Sequence, residues 1–437
     1  MMRKELLGRM FRTAAMIMII SMLAGACSKN NGPEKPEDNT GQTTGPGGNG
    51  SGDQGGSGDQ GNSGNEGGSG DEGGNEGGTS GGDHGGSGDS GDQGGSGDSG
   101  SGGSGGSGDQ GDQPKPQITA NSWMTAIDDD TKIAMLTIPG THDAATSTCA
   151  GPGKCQTLTI SGQLEHGVRA FDLRPTMDDN STLGNIYHSI LDTDVSMGDA
   201  MEYFDSFLKA HPGEGIIVIM RYESERQIFG SIAEDNYKTA MKNFLWDNKI
   251  YQSRMAAFNK SMTMKDLRGR ILIISRNDLS PVSTFETAYT QWSHSNSVGE
   301  ALYIYGTGGL GRIYVQDMYS AEKNGNSSEA DFLAKKKELV CKLLDITVPF
   351  REYEQNNWVI NYCSGYAGSS FASDSYAKNA ASTNPAALEH IQAHTGKGFT
   401  GIVMMDYAGT DTYEVGGSTF SVSGKSLTEA LIMNNFQ

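Results

Sequence analysis

From Trp123 onward, apolar residues fall into short runs separated by longer stretches of helical spacing. The runs Ile133–Ile138, Val168–Leu173, Gly215–Met220, Ile271–Ser275, Ile313–Gln316, Trp358–Tyr362 and Gly401–Met405 predict strands. Residues 215–220 (GIIVIM) show no polar alternation, as expected of a strand buried on both faces of a parallel sheet. A capping-box pattern, Ser196-x-x-Asp199, predicts a helix running to about Ala210. Further helices are predicted near Ile232–Trp246, near Ser328–Leu344, over Pro385–Ala393 and from about Ser426. Tyr203, Phe204 and Phe207 lie at helical spacing and read as core. This strand–helix alternation argues for an α/β fold with a parallel sheet, and the number of units argues for closure into a barrel.

The pattern is missing ahead of this region. Residues 29–117 hold almost no large apolar side chain and repeat Gly-Ser-Gly-Asp and Gly-Asp-Gln units. Most of the chain's 63 glycines lie there. Such a segment cannot offset the entropy of folding and is expected to be a disordered tether. A Gly-rich coil over residues 41–113 has an r.m.s. reach of roughly 45–50 Å. The expected organisation is therefore an N-terminal segment over 1–27, a linker over 28–117 and one large domain over 118–437.

Charge narrows the partners. The chain carries a formal −20, and residues 41–113 hold twelve Asp or Glu with no Lys or Arg. The remaining domain is still net acidic, so it offers no basic patch of the kind nucleic acid requires. An acidic domain is also repelled by anionic membrane surfaces, which makes any lipid contact local. Nothing in the pattern calls for an oligomer, and a monomer is expected.

The N-terminus reads as an export signal. Arg3, Lys4, Arg9 and Arg12 precede an apolar run from Ala14 to Ala26 that is short for a membrane span. Ala24-Gly25-Ala26 then leads into Cys27 and a polar, Pro-rich chain. This arrangement resembles the lipobox of bacterial lipoproteins, in which the Cys is lipidated. It implies an exported, membrane-anchored protein, the alternative being an ordinary cleaved signal peptide. Cys149, Cys155, Cys341 and Cys363 form an even set compatible with disulfides in an exported domain, Cys149–Cys155 closing a short loop.

Polar residues cluster at the C-terminal ends of the predicted strands. His142 and Asp143 follow the first, and Asp172 and Arg174 close the second. His188 follows 183–187, Arg221 ends GIIVIM and Arg276 ends ILIIS. Asp317 and Tyr319 lie in VQDMY, and Asp406 in GIVMMDY. In a βα barrel these ends converge on one mouth, where active sites lie. The chain lacks a G-x-S-x-G elbow, an H-E-x-x-H pair and a Gly-rich phosphate loop opening a helix. Two histidines with arginines suit acid–base cleavage of a phosphodiester. One imidazole takes a proton from the attacking hydroxyl, the other protonates the leaving oxygen, and a guanidinium neutralises the phosphate.

The blocks Ile138–Asp143, Phe171–Arg174, Tyr187–His188, Gly269–Arg276, Val315–Tyr319 and Gly401–Tyr407 together resemble the secreted bacterial phosphatidylinositol-specific phospholipases C. The resemblance spans about residues 120–437. It implies a distorted (βα)8 TIM-type barrel and cleavage of phosphatidylinositol, or of a glycosyl-phosphatidylinositol, by attack of the inositol 2-hydroxyl on phosphorus. It implies His142 as general base oriented by Asp406, and His188 as general acid assisted by Asp143. It implies Arg174 as the phosphate contact, with Asp172 beside it and no metal or other cofactor. Arg221, Arg276, Asp317 and Tyr319 match the inositol pocket. Two positions depart from the family: Arg221 stands where lysine is frequent, and Ser189 where a glycine is usual. His166, His211, His294, His390 and His394 match no block and read as surface or structural. Two other functions stay open: a metal-dependent glycerophosphodiester-type phosphodiesterase, and a non-catalytic surface barrel that binds inositol headgroups or glycans.

Overall fold

The computed structural model describes residues 118–177, 182–223, 234–279, 287–293, 297–320, 328–353, 356–369, 372–394 and 398–437. Cys27, the signal-like segment, the Gly-rich segment up to residue 117 and His294 lie outside the described residues.

In chain order the strands are β1 (Thr137–Thr141), β2 (Ala170–Leu173), β3 (Pro175–Met177), β4 (Leu183–His188), β5 (Leu191–Ser196), β6 (Ile216–Met220) and β7 (Ile271–Ser275). They continue as β8 (Ala288–Tyr289), β9 (Glu300–Gly306), β10 (Gly309–Gln316), β11 (Asn357–Tyr362), β12 (Gly401–Met405), β13 (Thr412–Val415) and β14 (Ser418–Ser421). The helices are α1 (Ile160–Glu165), α2 (Met197–Ala210), α3 (Glu234–Met241), α4 (Lys249–Arg254), α5 (Met264–Leu267), α6 (Glu329–Tyr353), α7 (Ser375–Ala393) and α8 (Gly424–Met433). Nine strands close the barrel in the order β1-β12-β11-β10-β9-β8-β7-β6-β2. All neighbours run parallel except around β9, which pairs antiparallel with β8 and β10. The barrel is thus of the TIM type, and its distortion is the β9–β10 hairpin inserted where a crossover helix would otherwise stand.

Alternation along each strand separates two cores. Ile217 and Ile219, Leu272 and Ile274, Ile313 and Val315, Trp358 and Ile360, and Ile402 and Met404 fill the interior. Their neighbours Ile216, Val218, Met220, Ile271, Ile273, Val403 and Met405 pack outward against the helices. Both faces are buried, which explains why the parallel strands read as unbroken apolar runs. The interior is tight: a Cβ at Gly140 would run into the Met404 side chain and Ala170. Trp123 and Met124 join the interior core and are fully buried. This segment is tied down by Glu214, which accepts from Thr125 N at 2.7 Å and from Thr125 Oγ1 at 2.8 Å. Glu214 also pairs with the fully buried Arg169 at 2.8 Å.

Several elements depart from the expectation. Residues 133–135 form a 3-10 turn rather than strand, because Ile133 N donates to Met262 O. The 183–188 strand is not a barrel strand; it belongs to an antiparallel sheet β3-β4-β5 that follows β2 directly. The helix expected over 385–393 begins ten residues earlier, with Pro385 inside it. The Ser196–Asp199 capping box forms as expected at the start of α2. Phe204 and Phe207 are core, whereas Tyr203 is exposed. All four described cysteines are free thiols, so neither Cys149–Cys155 nor Cys341–Cys363 is bridged.

Candidate active site

The interior parity of each strand continues past its C-terminal end. His142 lies two residues beyond Gly140, Arg221 two beyond Ile219, Arg276 two beyond Ile274, Asp317 two beyond Val315 and Asp406 two beyond Met404. These side chains therefore point to the barrel mouth for the same reason that their predecessors fill its interior. The backbone turns sharply just past β1, β4 and β12, where Asp143, Ser189 and Tyr407 adopt φ of 43°, 55° and 59°. Ser189 occupies the tight β4–β5 turn, where a left-handed conformation favours glycine; a serine there costs on the order of 1 kcal/mol.

His142 is held from both sides. Its Nδ1 lies 2.9 Å from Asp406 Oδ1, and its Nε2 lies 2.8 Å from Arg174 Nη2. A guanidinium can only donate, so Nε2 presents its lone pair and the Nδ1–H donates to Asp406. Asn384 Nδ2 donates to Asp406 O at 3.0 Å and so fixes the carboxylate's backbone. Asp406 is fully buried, and its Oδ2 has no hydrogen-bond partner. Burial pushes the Asp406 carboxyl up, partly countered by His142. Burial alone would lower His142, but Asp143 and Asp406 outweigh it and hold the imidazole above its ordinary value.

Asp143 joins the two histidines. Its Oδ2 lies 3.2 Å from His142 Nε2 and 3.4 Å from His188 Nε2, and its Oδ1 lies 3.0 Å from Arg174 Nε. Burial opposes its charge, but Arg174, His142, His188 and Arg221 keep it well below the usual carboxylate range. The His188 Nδ1–H donates to Gly153 O at 3.0 Å, since a carbonyl can only accept. Its exchangeable proton is therefore the one on Nε2, which also meets Tyr376 Oη at 3.0 Å. Arg174 bonds Asp172 Oδ2 at 3.0 Å, and burial is outweighed by Asp143, Asp172 and Glu223 in keeping it firmly cationic.

The four residues expected at an inositol pocket fall in separate contacts. Arg276 Nη2 lies 3.4 Å from Asp317 Oδ2, and Trp292 Nε1 donates to the same oxygen at 2.8 Å. The Arg276 guanidinium stacks on the Trp292 ring, 4.1 Å from its centroid. Arg221 lies 3.7 Å from Glu223 Oε1, and Tyr319 sits half-buried near Tyr366. The Tyr362 ring lies 6.3 Å from both His142 and Trp292, and its buried hydroxyl has no hydrogen-bond partner.

Of the residues expected from the sequence, His142, Asp143, Asp172, Arg174, His188 and Asp406 are brought together by direct contacts, Arg276 pairs with Asp317, and Arg221 and Tyr319 lie by Glu223 and Tyr366. Glu223, Trp292, Tyr362 and Tyr376 join these contacts without being among the expected site residues. Glu223 and Tyr362 share the interior parity of β6 and β11, a signal that was available. Trp292 and Tyr376 lie in a loop and an outer helix, where no periodicity marks them.

His142, Asp143 and Cys155 bring three potential ligand atoms within 4.8 Å of one another. A divalent ion there would face Arg174, whose Nη2 and Nε already lie on His142 and Asp143. Burial pushes the Cys155 thiol well above its ordinary value, which disfavours the thiolate a metal needs.

Residues 139–277 match the family model of the phosphatidylinositol-specific phospholipase C X domain. The 1-phosphatidylinositol phosphodiesterase of Listeria monocytogenes is 35% identical over 171 residues, 37% of this chain and 51% of that protein. The Staphylococcus aureus (strain Newman) enzyme of the same name is 25% identical over 299 residues, 66% of this chain and 88% of that protein. The chain thus spans about half the length of the first relative and most of the second. A crystal structure of the S. aureus phosphatidylinositol-specific phospholipase C superposes with a TM-score of 0.56 at 22% identity, over 73% of this chain and 98% of that one. The L. monocytogenes enzyme gives 0.50 at 23% identity, over 73% and 100%. Those structural likenesses speak to the fold; the X-domain match over residues 139–277 and the two related sequences make this chain similar to the bacterial phosphatidylinositol-specific phospholipases C.

Proposed function

We propose that the protein is a phosphodiesterase that cleaves phosphatidylinositol to diacylglycerol and inositol 1,2-cyclic phosphate. The observation that carries this reading is the arrangement of two imidazoles around one carboxylate and one guanidinium. His142 Nε2 and His188 Nε2 both face Asp143 Oδ2, at 3.2 and 3.4 Å, with Arg174 beside them.

The steps follow from the tautomers. His142 Nε2 takes the proton of the inositol 2-hydroxyl while Asp406 accepts from Nδ1–H and stabilises the imidazolium. The 2-oxygen forms its bond to phosphorus as the bond to the diacylglycerol oxygen breaks. His188 gives its Nε2 proton to that leaving oxygen. Arg174 turns its N–H groups from His142 and Asp172 to the phosphoryl oxygens, where charge develops. Attack from the adjacent ring hydroxyl is intramolecular and gains a high effective molarity. Arg221, Arg276 and Asp317 supply charged hydrogen-bonding groups for the ring hydroxyls, and Tyr319 packs against the ring. Arg174 provides the positive charge at phosphorus, and the reading assigns no metal to the reaction.

The N-terminal pattern ending at Cys27 supports an exported lipoprotein, with the barrel acting at a membrane surface. Among the described residues no helix is long and apolar enough to cross a membrane. The test of the whole reading is turnover of phosphatidylinositol by purified protein in EDTA. Cleavage in EDTA is expected. Cleavage only after calcium is restored would move the reading to the metal-dependent alternative, and no cleavage in either condition to a binding protein.

A further inference from the structure

A second cluster of ligand-type side chains lies away from the barrel mouth, between α6 and α7. These helices pack against each other, and Val340 and Leu344 of α6 belong to the same buried core as Ala387 and Ile391 of α7. Next to that seam stand Asp345, one residue after Leu344, and His390, one residue before Ile391. His394 follows one helical turn after His390, and His390–x₃–His394 places both rings on one face of the helix. The rings stack with centroids 4.2 Å apart. Asp345 Oδ1 lies 2.6 Å from His390 Nε2. One ligand atom from each of the three residues lies within 4.8 Å of the others.

The protonation pattern favours a ligand. The His394 Nδ1–H donates to His390 O at 2.8 Å, because a carbonyl can only accept. That bond puts the His394 lone pair on Nε2, and metal-bound histidines are oriented by an outer partner in the same way. The His390 side chain is only 11% exposed, whereas Asp345 is 59% exposed. One ligand is thus fixed in the helix seam, and another can adjust to an incoming ion. Two imidazoles and one carboxylate form a borderline donor set suited to Zn²⁺ and unsuited to Ca²⁺ or Mg²⁺.

We propose that Asp345, His390 and His394 form a zinc site that clips α6 to α7, with water in the fourth position. The ion takes the place of the proton shared between His390 Nε2 and Asp345. The clipped helix α7 also carries Tyr376 and Asn384, which touch His188 and Asp406. The site stands on its own geometry and does not depend on the phosphodiesterase reading. Its effect is on stability, with no part in the chemistry at the mouth.

The experiment compares zinc binding and melting of the full chain with those of two variants, Asp345→Asn and His394→Ala, after dialysis against a chelator. Calorimetric titration with Zn²⁺ should give one equivalent that each variant loses or binds at least about tenfold more weakly. A hundredfold excess over Kd should raise the melting temperature of the parent by about 3–6 °C, and that of the variants by much less. Zinc-free melting and zinc-free turnover should be the same in all three proteins, which separates this site from His142, Asp143 and Cys155. Equal zinc affinity and equal thermal shift in the variants would overturn the proposal, as would the absence of zinc binding by the parent.

Discussion

Asp406→Asn isolates the orientation of the general base. The carboxylate lies 2.9 Å from His142 Nδ1, and both groups are buried. Two unit charges at that separation interact by roughly 5–6 kcal/mol at an effective dielectric constant of about 20. Asparagine keeps the shape and removes the charge. If its amide NH₂ faces Nδ1, the imidazole must move its proton to Nε2, and the base is lost. If its oxygen faces Nδ1, the NH₂ falls where Asp406 Oδ2 now has no partner, and a buried donor is left unpaired. Either outcome removes most of the stabilisation of the imidazolium formed during attack. A loss on the order of 10³-fold in kcat is expected, equivalent to about 4 kcal/mol. The pH profile gives a second readout. Asp406 raises His142 through its charge and its hydrogen bond. The base must be unprotonated, so the acid limb of kcat/KM should lie above pH 6.5 in the parent protein. Removing Asp406 lowers the imidazole pKa and moves that limb to lower pH, although the rate falls. The assay is release of water-soluble inositol phosphate from detergent-dispersed phosphatidylinositol across pH 5–9. An unchanged kcat, or an acid limb shifted upward, would refute the role of Asp406.

His142→Ala and His188→Ala should each lower kcat by at least ~10²-fold, and the double variant should fall well short of the product because the two groups act as a unit. Steady-state kinetics checks this, and parental rates in either single variant would remove that histidine from the mechanism. Glu214→Ala should destabilise the fold by about 3–5 kcal/mol, because it strands the buried Arg169 and releases Thr125. Urea unfolding measures this; a change below about 1 kcal/mol would mean that the pair is not what closes this end of the barrel.

The barrel strands were legible because both their faces are buried. Ile271–Ser275 and Gly401–Met405 match the expectation residue for residue, since an apolar run with polar flanks has little freedom of register. The first half of α7 was not legible. Its Asn379, Thr383 and Asn384 break the apolar period, yet they are buried, and their side chains bond Cys363 O and Asp406 O at the strand ends. Polar residues chosen to satisfy strand-end carbonyls look like loop to a hydrophobicity pattern. The same blind spot hid Tyr376, on the first turn of that helix. The antiparallel β9–β10 hairpin does not stand out in the sequence because only Ile304 of β9 is buried and the rest is half-buried or exposed, so β9 lacks the apolar run of a buried strand. His188 reaches Asp143 by a different route from the barrel-strand residues. It arrives on β4 of a separate sheet, which the strand-end argument did not anticipate. Lys336 was also unmarked. It is fully buried behind the mouth with Nζ 3.2 Å from Gln316 Oε1, and burial pulls its ammonium down to about 8.

The central claim is that His142 and His188 carry out an intramolecular phosphoryl transfer. Phosphorus NMR of the product formed from phosphatidylinositol tests it most directly, run beside a substrate whose 2-hydroxyl is methylated. The account predicts inositol 1,2-cyclic phosphate as the first product and no turnover of the methylated substrate. Cleavage of the methylated substrate to an acyclic inositol phosphate would show direct attack by water and contradict the assignment of His142 to the 2-hydroxyl.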